Sequence, residues 1–137
     1  MLFALSVSAH AQQTGKIFLN GSLGRALGHL AGWVEYGYTP APLNPPFFIK
    51  WILWFRKSSL LYKPMPAGVK IPGVAGGTLA TDELTLEEGL SRHQRQIGRL
   101  KTQPPTVPSP ALGKLTHEES IALSLRHAEL HLGFFVP

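Results

Sequence analysis

The stretch Leu-Gly-Arg-Ala-Leu-Gly-His-Leu-Ala-Gly-Trp-Val, residues 23–34, decides the class of fold. Its apolar residues recur three and four positions apart, which is the spacing of a buried stripe on an α-helix. Glycine occupies every fourth position, at Gly24, Gly28 and Gly32. Glycine lowers helix propensity, but a row of small residues lets a second helix approach closely. We therefore predict a tightly packed helix over residues 23–38, ended by the prolines that follow.

Two more helices follow from their start signals. Thr85 with Glu88, and Thr116 with Glu119, each form the spacing of a capping box. The first pair predicts a helix to about residue 101, and the second a helix to about residue 134. The apolar face predicted for the second of these helices is Ile121, Leu125, Ala128 and Leu132. No segment alternates with a period of two, so the sequence predicts an all-α fold, an up-and-down bundle of antiparallel helices.

Two connecting segments have unusual composition. Residues 47–55 read Phe-Phe-Ile-Lys-Trp-Ile-Leu-Trp-Phe and are followed by Arg56 and Lys57. We interpret them as a buried connecting helix; the alternative is an interfacial helix with its aromatic side chains among lipid headgroups. Residues 63–81 are rich in proline and glycine, which predicts a long loop of the kind that often carries function.

Composition narrows the function. The chain has 137 residues, 44% of them apolar, no cysteine and a formal charge of +5. The length indicates one globular domain, and the lack of cysteine excludes disulfides, thiolate metal ligands and a cysteine nucleophile. The basic residues are scattered, so we predict no nucleic-acid partner, and we expect no membrane-surface partner. No apolar run approaches the roughly 20 residues that span a bilayer. We expect a cytoplasmic protein.

The N-terminal residues 1–19 have no clean helical period. Met1 to Gln13 end in an Ala-His-Ala pattern typical of a signal cleavage site, but they lack a positively charged start. We expect either a partial first helix or a misread N-terminus here, followed by a helical bundle domain over residues 20–137.

Histidines supply the candidate chemistry. His127 and His131 are four residues apart on the last predicted helix, which places both imidazoles on one face. That spacing suits shared metal ligation, although it also describes two unrelated surface histidines. His29 lies between apolar residues in the first helix, where it is either a packed core histidine or a third ligand. Glu129 lies at the wrong position to serve as the base of a zincin motif.

Other histidines are weaker candidates. His117 begins a His-Glu pair that lacks the second zincin histidine, and we expect His10 and His93 to be exposed.

Two stretches resemble a known superfamily. They are Asn20 to Ala31, with its Ser-Leu-Gly and His-Leu-Ala steps, and Leu112 to Glu119, which leads into His127 and His131. Together they resemble the DinB-like (YfiT-type) superfamily of metal-binding four-helix bundles, in a branch known only as a domain of unknown function. The chain departs from that pattern at Gly21, where a tryptophan is usual, and its first helix is shortened.

The resemblance implies that His29, His127 and His131 bind a divalent metal, zinc or nickel first and iron or manganese as alternatives. It also implies a small-molecule substrate and a metal-dependent hydrolase or thiol-dependent transferase, with a low-molecular-weight thiol as one candidate cosubstrate. The alternative is a non-catalytic helical interaction module, in which the aromatic segment 47–55 docks a partner or forms a homodimer.

Overall fold

The computed structural model describes residues 23–133 and residue 135. The described part contains α-helices and one short 3-10 turn but no strand, so the all-α prediction is confirmed. The helices are α1 (Leu23–Glu35), α2 (Phe47–Phe55), α3 (Lys57–Tyr62), α4 (Leu86–Thr102) and α5 (His117–Leu132). The predictions for residues 1–19 lie outside the described residues. None of the described helices combines the length and apolarity needed to cross a bilayer.

Close packing of α1 against α4 depends on glycine. A Cβ atom at Gly24 would overlap the carbonyl oxygen of Thr85, and one at Gly89 would overlap the carbonyl oxygen of Gly24. At Gly28 and Gly32 an added Cβ would overlap side chains of the segment that enters α4. The predicted approach of a second helix is therefore confirmed at Gly24, whereas Gly28 and Gly32 admit the loop segment that precedes α4.

The two packed helices run parallel. Gly24, at the start of α1, meets Gly89 near the start of α4, and Glu35, at the end of α1, pairs with Arg92 at 2.6 Å and with Gln96 at 3.3 Å. The up-and-down prediction is therefore wrong for this pair. The cause is the long connection over residues 36–85, which returns the chain to the end of the bundle where α1 began.

The last helix runs back along the bundle. His117, at its first turn, hydrogen-bonds to the carbonyl of Leu100 near the end of α4. The chain therefore reverses between α4 and α5, as predicted for antiparallel helices. Both predicted capping boxes are present, and Glu119 of the second also forms a 2.8 Å ion pair with Lys57 of α3.

The core is built mainly from α1. Its buried apolar residues are joined by one leucine each from α3, α4 and the linker before α5; the set is Ala26, Leu27, Leu30, Ala31, Val34, Leu61, Leu100 and Leu112. The buried residues of α5 are instead polar, Ser120 and His131, while Leu125 is 55% exposed. The predicted apolar face of α5 is thus wrong for Leu125, because α5 turns its histidine side inward.

Helix α2 also contradicts its prediction. It contains no buried residue, and Phe47 and Trp51 are 84% and 64% exposed. The interpretation of residues 47–55 as a buried connecting helix is therefore wrong. The segment is a real helix, but the described part of the chain covers only one side of it.

Candidate metal centre

Three imidazoles from α1 and α5 converge at one point. The Nε2 atom of His127 lies 3.2 Å from Nε2 of His29 and 3.1 Å from Nε2 of His131. One nitrogen from each ring lies within 4.8 Å of the other two. The ring planes cross at 70°, 77° and 73°. The structure therefore brings together the three histidines predicted from the sequence in a group that could hold a metal ion.

The nitrogen separations match a metal site. Zinc binds imidazole nitrogen at about 2.0–2.1 Å in tetrahedral geometry, which places two ligand nitrogens about 3.3 Å apart. The two short separations at His127 lie close to that value. A neutral imidazole could donate an N–H across either separation; where all three nitrogens are unprotonated, a cation among them would accept three lone pairs. The donor set, three imidazoles without thiolate, suits zinc, nickel, iron or manganese.

A backbone carbonyl orients the ring of His29. The Nδ1 atom of His29 lies 2.8 Å from the carbonyl oxygen of Leu79. A carbonyl oxygen can only accept, so Nδ1 carries the proton and donates it, and Nε2 keeps its lone pair for the site. Outer partners of this kind fix the ring and tautomer of metal-binding histidines. The loop predicted over residues 63–81 therefore contributes to the site through Leu79.

Burial keeps the cluster neutral. Desolvation lowers the pKa of His29 to about 4, although its hydrogen bond to Leu79 acts in the opposite direction. Desolvation, together with the neighbouring His29, lowers the pKa of His131 to about 3. The pKa of His127 is lowered well below its usual value by burial and by both neighbouring imidazoles. Neutral imidazole is the form that binds metal.

Neighbouring polar residues stay out of the cluster. Glu129 is exposed and pairs with Arg126 at 2.7 Å, so it faces away from the histidines, as predicted. His117 is occupied by the carbonyl of Leu100. Neither residue supplies a fourth ligand to the three imidazoles.

The cluster opens into a cavity of about 290 Å³. Its described lining contains the three histidines, many aliphatic side chains from all five helices and the loops, and no aspartate, glutamate, lysine or arginine. His93 lies in this lining, half-buried, and burial lowers its pKa. The expectation that His93 is exposed is therefore wrong, because one side of α4 faces the cavity.

Trp33 also belongs to the site, although no sequence motif predicted it. It lies one turn after His29, its ring centroid is 5.8 Å from that of His127, and it lines the cavity. Its indole Nε1 is buried and finds no acceptor among the described residues. The four-residue spacing from His29 was the available signal, since it places both rings on one face of α1.

No protein-family model, curated protein or solved structure matches this chain.

Proposed function

We propose that this chain is a divalent-metal protein of the DinB-like kind, with His29, His127 and His131 as ligands, and that it acts as a metal-dependent hydrolase or a thiol-dependent transferase. The observation that carries the proposal is the pair of 3.1 and 3.2 Å separations that centre three imidazole nitrogens on one point. Zinc and nickel are the first candidates. Three protein ligands are the usual complement of a catalytic zinc, which keeps a further position for water or substrate.

A divalent ion at this point would supply Lewis acidity, which lowers the pKa of a water or thiol ligand. The residues of the chain have separate tasks. Leu79 holds the ring of His29, and the aliphatic wall makes the surroundings of the cluster apolar. His93 lies on that wall outside the cluster, and burial lowers its pKa and so favours its neutral form, which makes it the candidate proton acceptor.

The cavity indicates the class of substrate. A charged group placed in it would lose its hydration and meet no opposite charge on the described wall, and this is costly. The buried indole N–H of Trp33 has no acceptor among the described residues, so a substrate with one acceptor atom could take its hydrogen bond. We infer a small, largely apolar and uncharged substrate with a polar group near the histidines. A thiol cosubstrate that carries carboxylates would have to bind with those carboxylates outside the cavity, in solvent.

Metal analysis tests the proposal. Protein purified without a histidine tag and dialysed against zinc should hold one ion per chain, measured by mass spectrometry of the metal. His127→Ala and His131→Ala should each reduce that content to near zero. The matched control is His93→Gln, which changes a cavity histidine outside the cluster and should keep one ion. A wild-type content near zero, or one that neither alanine variant changes, would exclude the metal site.

The alternative, a non-catalytic helical interaction or dimerisation module, is favoured by one observation, the exposure of α2. The two functions are compatible because α2 contributes little to the cavity wall, with Leu53 as its lining residue. A metal-free wild type with an intact fold would favour the alternative.

A further inference from the structure

Helix α2 presents a continuous apolar surface to solvent. Successive residues of an α-helix are 100° apart, so its six most exposed apolar residues occupy a single arc of about 160°. These residues, called the aromatic arc below, are Phe47, Phe48, Trp51, Ile52, Trp54 and Phe55, each at least 51% exposed. The half-buried residues Ile49 and Leu53 lie on the opposite side, toward the body of the protein. The exposure is therefore a property of one whole face and not of scattered side chains.

Two cations, Lys50 and Arg56, lie next to this face in a segment of positive charge. Residues 36–81 contain five basic residues and no acidic one, a balance equal to the whole formal charge of +5. Lys57 is used within the fold, in its ion pair with Glu119. Lys50, Arg56 and Lys63 are exposed and form no ion pair with any described residue. Lys50 lies beside the aromatic arc on the helix, and Arg56 follows its last residue.

A second copy of the chain is a poor occupant of this face. A two-fold dimer places the same patch of both subunits together. Lys50 and Arg56 of one subunit would then lie near the same two cations of the other, with no carboxylate in residues 36–81 to separate them. An anionic surface has the opposite charge and meets no such repulsion.

We propose that α2 docks on an anionic lipid surface. The aromatic arc enters the boundary between headgroups and acyl chains, where tryptophan side chains are favoured, and Lys50 and Arg56 contact lipid phosphates. Nine residues extend only about 13 Å at 1.5 Å each, so the helix lies along the surface and does not cross it. This docking is independent of the metal site, since none of the six residues of the aromatic arc lines the cavity that contains the three histidines.

Vesicle binding tests the proposal. The full chain should co-sediment with vesicles of phosphatidylcholine containing 30% phosphatidylserine, and binding should fall at least tenfold with phosphatidylcholine alone or at 0.5 M salt. The double variant W51S/W54S should lose at least tenfold, and the double variant K50E/R56E a similar amount. These side chains are exposed, so circular dichroism should show unchanged helix content. The matched controls are Leu86→Ser, an exposed apolar residue of α4, and Arg95→Glu, an exposed cation of α4; both should bind as wild type.

Tryptophan fluorescence adds a measure of depth. Lipids brominated on the acyl chain should quench Trp51 and Trp54 in the wild type, whereas W51S/W54S retains only Trp33 and should show no quenching. Absence of co-sedimentation with anionic vesicles overturns the proposal. So does binding that survives W51S/W54S, which would place the contact elsewhere. A dimer that W51S/W54S dissociates, without vesicle binding, assigns the aromatic arc to a second copy and also overturns it.

Discussion

Gly32 and Ala80 meet where the loop that orients His29 crosses α1. A Cβ atom at Gly32 would overlap the Cβ of Ala80, and Ala80 directly follows Leu79, whose carbonyl accepts the hydrogen bond of His29. Ala80 itself has a φ of 55°, a left-handed conformation that glycine adopts without strain. The contact between two small residues therefore connects helix packing to ligand orientation.

We predict that Gly32→Ala weakens zinc binding by about 10-fold to 100-fold, the usual effect of disturbing the outer partner of a ligand. The new methyl group would push Ala80, and with it the Leu79 carbonyl, away from His29. The double variant G32A/A80G removes the opposing methyl group and should restore most of the affinity. Competition with a fluorescent chelator measures both. Equal affinities of Gly32→Ala and wild type would contradict the coupling.

The close packing of α1 on α4 should also affect the free energy of unfolding. Gly24→Ala inserts a methyl group against the Thr85 backbone, and overpacking of this kind costs about 1–3 kcal/mol. Gly98→Ala is the matched control, because Gly98 lies within α4 with no neighbour within 4 Å of an added Cβ. That control should gain up to about 1 kcal/mol from helix propensity. Urea denaturation measures both. Changes of the same sign would contradict the packing of α1 on α4.

Acid should destabilise the metal-free protein. The pKa values of His29, His127 and His131 are lower in the folded protein than the ordinary value near 6.5. At a pH between the lowered pKa values and 6.5, the unfolded chain therefore binds protons that the folded chain excludes. The free energy of unfolding therefore falls as the pH falls below about 6.5, and it is unaffected by this term above that pH. Three such groups correspond to a loss on the order of 3–4 kcal/mol between pH 7 and 5.5.

The measurement is denaturant unfolding at a series of pH values with a chelator present. His131→Asn removes one of the three groups and should reduce the pH-dependent loss by roughly one third. A stability that stays constant from pH 7 to 5.5 would show that the imidazoles are not buried as a neutral cluster.

The cavity wall predicts selectivity between two probes. Hexanohydroxamic acid and adipic monohydroxamate have the same metal-binding group and a similar chain, but the second ends in a carboxylate. We expect the first to bind zinc-loaded protein at least 10-fold more tightly, because the described wall offers no cation to the carboxylate. Calorimetry measures both, with free zinc as the control for chelation. Equal affinities would contradict an apolar, uncharged cavity.

The sequence predicted those features whose signal is local. The capping boxes at Thr85 and Thr116 depend on residues three positions apart, and the pairing of His127 with His131 depends on one helical turn. The grouping of His29 with this pair drew on a resemblance as well. The structure contains both capping boxes and brings the three histidines together, while metal binding by them stays a prediction.

Features that depend on the path of the chain were not predictable in this way. The Leu79 carbonyl has no side-chain signature, and the position of His93 on the cavity wall follows from the rotation of α4 against α1. The apolar composition of α2 indicated burial. That interpretation failed because composition alone does not show whether a neighbour covers the helix. The parallel run of α1 and α4 follows from the course of residues 36–85 as a whole.

His29 and His127 are 98 positions apart in the chain. A contact of this separation requires the closure of a long loop, which is entropically costly and slows folding. During synthesis His29 emerges well before α5, so the three imidazoles can meet only after nearly all of the described chain has left the ribosome. An ion bound by all three would then cross-link an early and a late part of the chain, and it could bind only when folding is nearly complete.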